Sequence, residues 1–206
     1  MHPNPAFRAT PMDQNLAFAR ARGFGVLSVN GAEGPLAAHV PFLLSADGDF
    51  AELHLARSNP VGRAALAGPI AALIAVSGPD AYVSPDWYGA DDQVPTWNYI
   101  AVHLRGVLQA LPEDHLRDHV DALSAEHETR LLPKQPWVSD KMSEGAMPRM
   151  MRMILPLRFD VTAVEGTWKL NQNKTPEVRA RAADHLAQQT DPGAQAIAAL
   201  MRRDLA

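Results

Sequence analysis

Residues able to do chemistry gather in four short stretches of this chain. Over residues 97–110 the residue types alternate with the period of an extended strand. Ile100, Val102, Leu104 and Leu108 share one face, which is a core face. Trp97, Tyr99, His103 and Arg105 share the other. Two aromatic rings beside an imidazole and a guanidinium make a surface suited to being covered. A planar ligand, a second subunit or the chain's own helix could each cover it. The second stretch, His54-Leu55-Ala56-Arg57-Ser58-Asn59-Pro60, closes a strand and opens a helix. Its imidazole, guanidinium, hydroxyl and amide beside a helix start suit a phosphate, and Arg57 offers a planar fork of donors. Helix capping by Ser58 or Asn59 is the other reading of the same residues. The third stretch, Lys169-Leu170-Asn171-Gln172-Asn173-Lys174, could pair with the polar rim of a heterocycle or serve as a plain Asn-rich turn. The fourth, His39-Val40-Pro41-Phe42, puts a proline inside a strand, which implies an edge, a bulge or a close ligand approach.

Two further patterns carry less. His115 and His119 stand four apart on a helical segment, the spacing of metal ligands on one face. Glu113, Asp114, Asp118 and Asp121 surround them, which reads as a solvated acidic face with Leu116, Val120 and Leu123 turned inward. No metal site is expected. The methionines at 142, 147, 150, 151 and 153 read as core or dimer packing.

The elements that must position these groups follow from periodicity and turn signals. Residues 24–29, 36–44, 50–55 and 70–76 read as strands, and 81–84 reads as another, stopped by Pro85. After the strand at 97–110 come a helix from about 112 to 128 and a proline-interrupted loop at 132–138. A Met-rich helical stretch ends near Leu155, and a strand spans 157–164, with 167–170 continuing the sheet after Gly166. Thr175-Pro176-Glu177 opens a helix, and Asp191-Pro192-Gly193 separates it from a short last one. Strands joined by short turns favour an antiparallel sheet, and six of them close into a barrel. The length of 206 residues fits one domain over 1–190 with a helical tail over 191–206.

Composition excludes several classes. Lys and Arg total 19 against 23 Asp and Glu, a net charge of −4. That balance argues against a free-standing nucleic-acid binder, which needs a basic excess against phosphates. The chain has no cysteine, which removes disulfides, thiolate nucleophiles, iron–sulfur clusters and cysteine-bound zinc. No apolar run approaches the length of a membrane span, and the first residues do not look like a signal peptide, so a cytoplasmic protein is expected.

Several uncommon motifs in order resemble the PaiB-like family of FMN-binding negative transcriptional regulators. They are His39-Val40-Pro41-Phe42, His54-Leu55-Ala56-Arg57 with Asn59-Pro60, and Ser84-Pro85 with Trp87-Tyr88. Val94-Pro95-Thr96-Trp97-Asn98-Tyr99 with Ala101-Val102-His103 and Gly106, then Lys169-Leu170 with Gln172-Asn173, complete the series. The resemblance runs over residues 7–186, with Asn171 standing where the family has serine. It implies a mainly β fold with peripheral helices, the six-stranded antiparallel Greek-key split barrel related to pyridoxamine-phosphate oxidases. It also implies a homodimer with FMN at the subunit interface. By the same resemblance His39, Pro41 and Phe42 lie along the isoalloxazine, and His54, Ala56, Arg57, Ser58 and Asn59 hold the phosphate. Trp97, Asn98, Tyr99 and His103 lie near the interface, with Lys169, Gln172 and Asn173 closing the pocket.

Three functions compete. The first is an FMN-binding regulatory protein, whose contact with DNA is weak or indirect because no basic recognition helix is present. The second is an FMN-dependent oxidoreductase. The third is a split barrel holding another planar ligand such as haem.

Overall fold

A computed structural model describes residues 1–203. Among them six strands form a closed barrel in the order β1-β2-β3-β6-β5-β4. They are β1 (Phe24–Gly31), β2 (Gly34–Leu44), β3 (Phe50–Ala56), β4 (Ile70–Val83), β5 (Thr96–Ala110) and β6 (Ile154–Lys169). Six helices accompany them: α1 (Met12–Arg22), α2 (Pro60–Leu66), α3 (His115–Thr129), α4 (Ala146–Met151), α5 (Pro176–Ala187) and α6 (Pro192–Arg203). This is the six-stranded antiparallel barrel with helices that the motifs imply.

The chain divides into two compact units. One comprises Leu16–Val76 with Leu104–Val164, and it holds β1, β2 and β3 with parts of β4, β5 and β6. Its register is set by alternation: Phe24 stands opposite Pro41, Phe42 opposite Leu53, and Leu53 opposite Leu157. Leu27, Val40, Phe42, Leu53, Ile74, Leu104, Leu157 and Phe159 are all at most 1% exposed. Burying each such side chain contributes about 1.5–3 kcal/mol, so this alternation fixes the register. Gly106 lets β5 approach β6, because a Cβ there would lie 2.0 Å from the Asp160 carbonyl oxygen.

The other unit comprises Met1–Asn15, Ser77–His103 and Glu165–Ala206, of which 204–206 lie outside the described residues. Buried Asn15 ties it together, accepting from Trp168 Nε1 at 2.8 Å and donating to the Thr10 carbonyl at 3.1 Å. Thr175 caps α5, and Asp191 caps α6 by accepting from the Ala194 amide at 2.7 Å. The tail expected from residue 191 is thus a helix, and it buries Ile197, Ala198 and Met201.

Four expectations need correction. The segment 81–84 is the end of one 14-residue strand, because Pro79 tolerates extended backbone, and the break falls at a 3-10 turn over Pro85–Tyr88. The segments 157–164 and 167–170 also merge, into β6. The Met-rich stretch is helical only over six residues, opened by left-handed Gly145, and Leu155 belongs to β6. The helix after β5 begins at His115, and its inward face is Leu116, His119 and Leu123. His119 is therefore 3% exposed, not part of a solvated acidic face, and Val120 is half-buried.

Candidate functional site

In the barrel unit, β3 delivers His54 outward and then gives way to the turn before α2. Asn59 caps that helix, its Oδ1 accepting from the Val61 amide at 2.9 Å, so the capping reading describes this residue. Ala56 and Ser58 are exposed. The Arg57 amide donates to the Met153 carbonyl at 3.0 Å, which pins the turn to the segment before β6. The Arg57 side chain donates from Nε to the Arg152 carbonyl at 2.9 Å and from Nη2 to Glu113 Oε1 at 2.7 Å. The guanidinium is about one-third exposed and Glu113 mostly exposed. An ion pair so wet contributes about 0–1 kcal/mol, which a phosphate dianion can displace. Nothing in the sequence separated Glu113 from its acidic neighbours.

His54 has a partner that the sequence reading assigned to solvent. Its Nδ1 lies 3.1 Å from His119 Nε2, with the rings edge to face at 5.3 Å. Glu52 Oε2 lies 4.0 Å from the other His119 nitrogen. Burial lowers the pKa of both histidines. For His119 burial and then the neighbouring His54 take it down to about 4. The pair is neutral at pH 7.

On β2, His39 is exposed and stacks on Phe24, with ring centroids 6.4 Å apart. Pro41 is half-buried, and the Phe42 amide donates to the Gly23 carbonyl at 2.9 Å. Phe42 itself points into the barrel core. On β5 the core face is as expected, with Ile100, Val102, Leu104 and Leu108 at most 2% exposed. On the opposite face Trp97 is 54% exposed, Tyr99 and His103 are half-buried, and Arg105 is exposed. Trp97 meets Tyr82 edge-on at 6.3 Å, and Tyr82 is itself 47% exposed. Asn98 is in phase with the core face and fully buried. Its Nδ2 reaches the Met201 sulfur at 3.4 Å, and its Oδ1 has no partner among the described residues.

The unit built on the chain termini holds a polar cleft of about 260 Å³. Tyr88, Thr96, Lys169, Asn171, Asn173 and Lys174 line it, with His2 and Phe7 from the first turn of chain. Lys169 bonds Thr96 and lies 5.8 Å above the Phe7 ring, while Lys174 bonds Gln93 and lies 5.0 Å above the Tyr88 ring. Asn171 adopts a left-handed φ of 61° and donates to the Tyr88 hydroxyl at 3.4 Å. Gln172 accepts from the Leu170 amide at 2.7 Å and shapes the same turn. Burial lowers the Lys169 pKa, so a nearby anion would restore what desolvation removes. Burial likewise raises that of Tyr88, against the Asn171 hydrogen bond. Lys169 and Asn173 thus line one cleft. His2, Phe7 and Tyr88 complete the cleft, and no local pattern in the sequence points to the first two.

This donor set suits FMN, which joins a planar ring with a polar edge to a phosphate dianion. Paired ammonium groups over aromatic rings, flanked by amides and hydroxyls, offer cations to the anion and both donors and acceptors to the ring. Among the described residues no three His, Asp or Glu side chains gather as a metal site, and no helix is long and apolar enough to cross a membrane.

Comparison with known proteins agrees with this chemistry. The model of a family described as "Putative FMN-binding domain" matches residues 1–163. The protease synthase and sporulation protein PAI 2 of Bacillus subtilis is 27% identical over 201 residues, covering 97% of this chain and 95% of that one. Among solved structures, the FAD and haem binding protein from Mycobacterium smegmatis superposes with a TM-score of 0.56 at 15% identity, over 79% of this chain and 73% of that one. The conserved hypothetical protein Rv2991 from Mycobacterium tuberculosis does so at 0.57 and 12% identity, over 82% and 92%. At such identities the structures speak for the fold alone.

Proposed function

Since the chain belongs to the PaiB-like family of FMN-binding proteins, we propose that it is a cytoplasmic, homodimeric regulatory flavoprotein. FMN is the cofactor. The observation that carries the dimer is the outward face of β5, where Trp97 and neighbouring Tyr82 are each about half exposed in the single chain. Soluble proteins seldom leave paired aromatic rings in water, and a two-fold interface would cover both copies at once. The regulatory part of the reading rests on the family resemblance. A net charge of −4 favours an effect on transcription that is indirect or shared with a partner over tight operator binding by this chain alone.

The residues proposed to hold FMN are those of each cluster taken by itself. Arg57, with Ala56, Ser58 and Asn59 around it, is assigned the phosphate, on condition that Glu113 yields the guanidinium; His54, whose Nδ1 is engaged with His119, supports the strand end without touching the anion. His39 and Pro41 are assigned the flank of the ring, beside the Phe24–His39 stack. Lys169, Gln172 and Asn173 are assigned its polar edge, and Trp97, Tyr99 and His103 the covering interface. Phe42 and Asn98 take part only through the packing beneath these surfaces. Residues 1–190 are taken as the flavin-binding domain and 191–206 as its helical extension. Bound FMN supplies one- and two-electron chemistry, while these side chains bind and orient it and exclude water.

The test is the spectrum of the purified protein, followed by NAD(P)H addition and a DNA-binding titration at physiological salt. Flavin absorbance, slow reduction and weak DNA binding are expected. Rapid turnover with NAD(P)H would replace the regulatory reading with an oxidoreductase. A haem spectrum would replace both.

A further inference from the structure

Five of the chain's eight methionines fall between positions 142 and 153. Met142, Met147, Met150, Met151 and Met153 line one cleft of about 380 Å³ together with His54. Met150 and Met153 are 53% and 63% exposed, so their thioethers are reachable from water. The other three are half-buried. Apolar packing alone gives no reason to gather long sulfur side chains at a surface.

The histidine in this cleft is prepared as a ligand. His119 Nδ1 has no hydrogen-bond partner among the described residues and faces Glu52 Oε2 at 4.0 Å. A proton on that nitrogen suits the carboxylate and leaves His119 Nε2 as an acceptor. His54 Nδ1, 3.1 Å away, then donates to it, and Nε2 of His54 keeps its lone pair. A ligating histidine commonly donates its second ring nitrogen in this way, which fixes the tautomer and the ring plane.

We propose that the cleft is a binding site for a soft monovalent ion of the copper(I) class, held by His54 Nε2 and the thioethers of the 142–153 segment. Thioether and imidazole are donors that copper(I) accepts, whereas calcium and magnesium demand oxygen. All these ligands are uncharged, and apart from Ser124 and the Trp137 indole the rest of the lining is aliphatic. A single positive charge is far cheaper to bring there than a double one. The chain has no thiol, so these thioethers are its softest donors.

The experiment uses the FMN-loaded protein under anaerobic reducing conditions, with copper(I) presented as its bicinchoninate complex, which absorbs to the red of the flavin. One copper(I) per chain should transfer to the protein, and silver(I), its redox-inert counterpart, should change the fluorescence of Trp137 in the same cleft. The double variant Met150→Leu/Met153→Leu keeps the apolar volume and removes two sulfurs. Its copper(I) affinity should fall tenfold or more, while the fully separate and exposed Met12→Leu should leave it unchanged. Failure of the parent to take copper(I) from the chelator would overturn the proposal. So would equal affinity in the double variant, or an equal loss in Met12→Leu.

Discussion

Replacing His119 by glutamine should flatten the acid side of the stability curve. His119 is 3% exposed, and its pKa falls from the ordinary 6.5 to about 4 on folding, through burial first and the His54 neighbour second. Between those two values the unfolded chain binds a proton that the native protein refuses. The unfolded state therefore gains protons as pH falls, and stability must fall with it. The stabilising contribution is complete above pH 6.5 and is lost as pH drops toward 4. At pH 5 the loss comes to about 2 kcal/mol, and it levels off near 3 kcal/mol below pH 4. Glutamine retains an amide that can bond His54 but does not titrate. Urea unfolding of both proteins from pH 7.5 to 4.5 reads the effect. The parent should lose about 2 kcal/mol more than His119→Gln by pH 5, with unchanged dependence on urea. Any pH-independent cost of the substitution cancels in that difference. Parallel curves would refute the assignment of a neutral, buried His119.

Arg57→Ala should weaken FMN binding roughly tenfold to hundredfold, the worth of one charge-assisted contact, while Glu113→Gln should strengthen it a few-fold by freeing the guanidinium; fluorescence titration of flavin-stripped protein measures both, and no change in either would move the phosphate elsewhere. Gly106→Ala should cost about 3 kcal/mol or prevent folding, since its Cβ would meet the Asp160 carbonyl at 2.0 Å and Phe159 Cζ at 2.8 Å; thermal unfolding near the parent's midpoint would show that β5 and β6 are not so close. Trp97→Asp should turn the proposed dimer into monomers at micromolar concentration, read by light scattering, because it places a charge in the aromatic face, exposed in the single chain, that the proposed interface covers; an intact dimer would place the interface on another surface.

Much of the barrel was legible because alternation is a local signal. Strands β1 and β3 show their buried face as every second residue, from Leu27 and Val29 through Leu53 and Leu55. Strand lengths were less legible, because Pro79 and Gly166 look like breaks in a sequence. Pro79 fits an extended backbone, and Gly166 is required where a Cβ would lie 2.1 Å from Asn15 Oδ1. Asn15 lies far away along the chain, so nothing local announces it.

The candidate site divides the same way. Trp97, Tyr99, His103 and Lys169 stood out by type and spacing, and Asn59 by its capping position. What stayed hidden were pairings across the fold: Glu113 on Arg57, His119 on His54, and His2 and Phe7 in the lysine cleft. Acidic residues on both sides of His119 suggested solvent, yet helical phase with Leu116 and Leu123 decided its burial. Phe42 and Asn98 show the converse limit, since motif residues drawn to a ligand by resemblance can face the core.

Sedimentation velocity followed simultaneously at the protein and flavin absorption bands tests the central claim most directly. The account predicts one boundary with the mass of two chains, carrying flavin that is released as FMN on denaturation. A boundary with the mass of one chain, or a dimer that sediments without flavin after incubation with FMN, would contradict it.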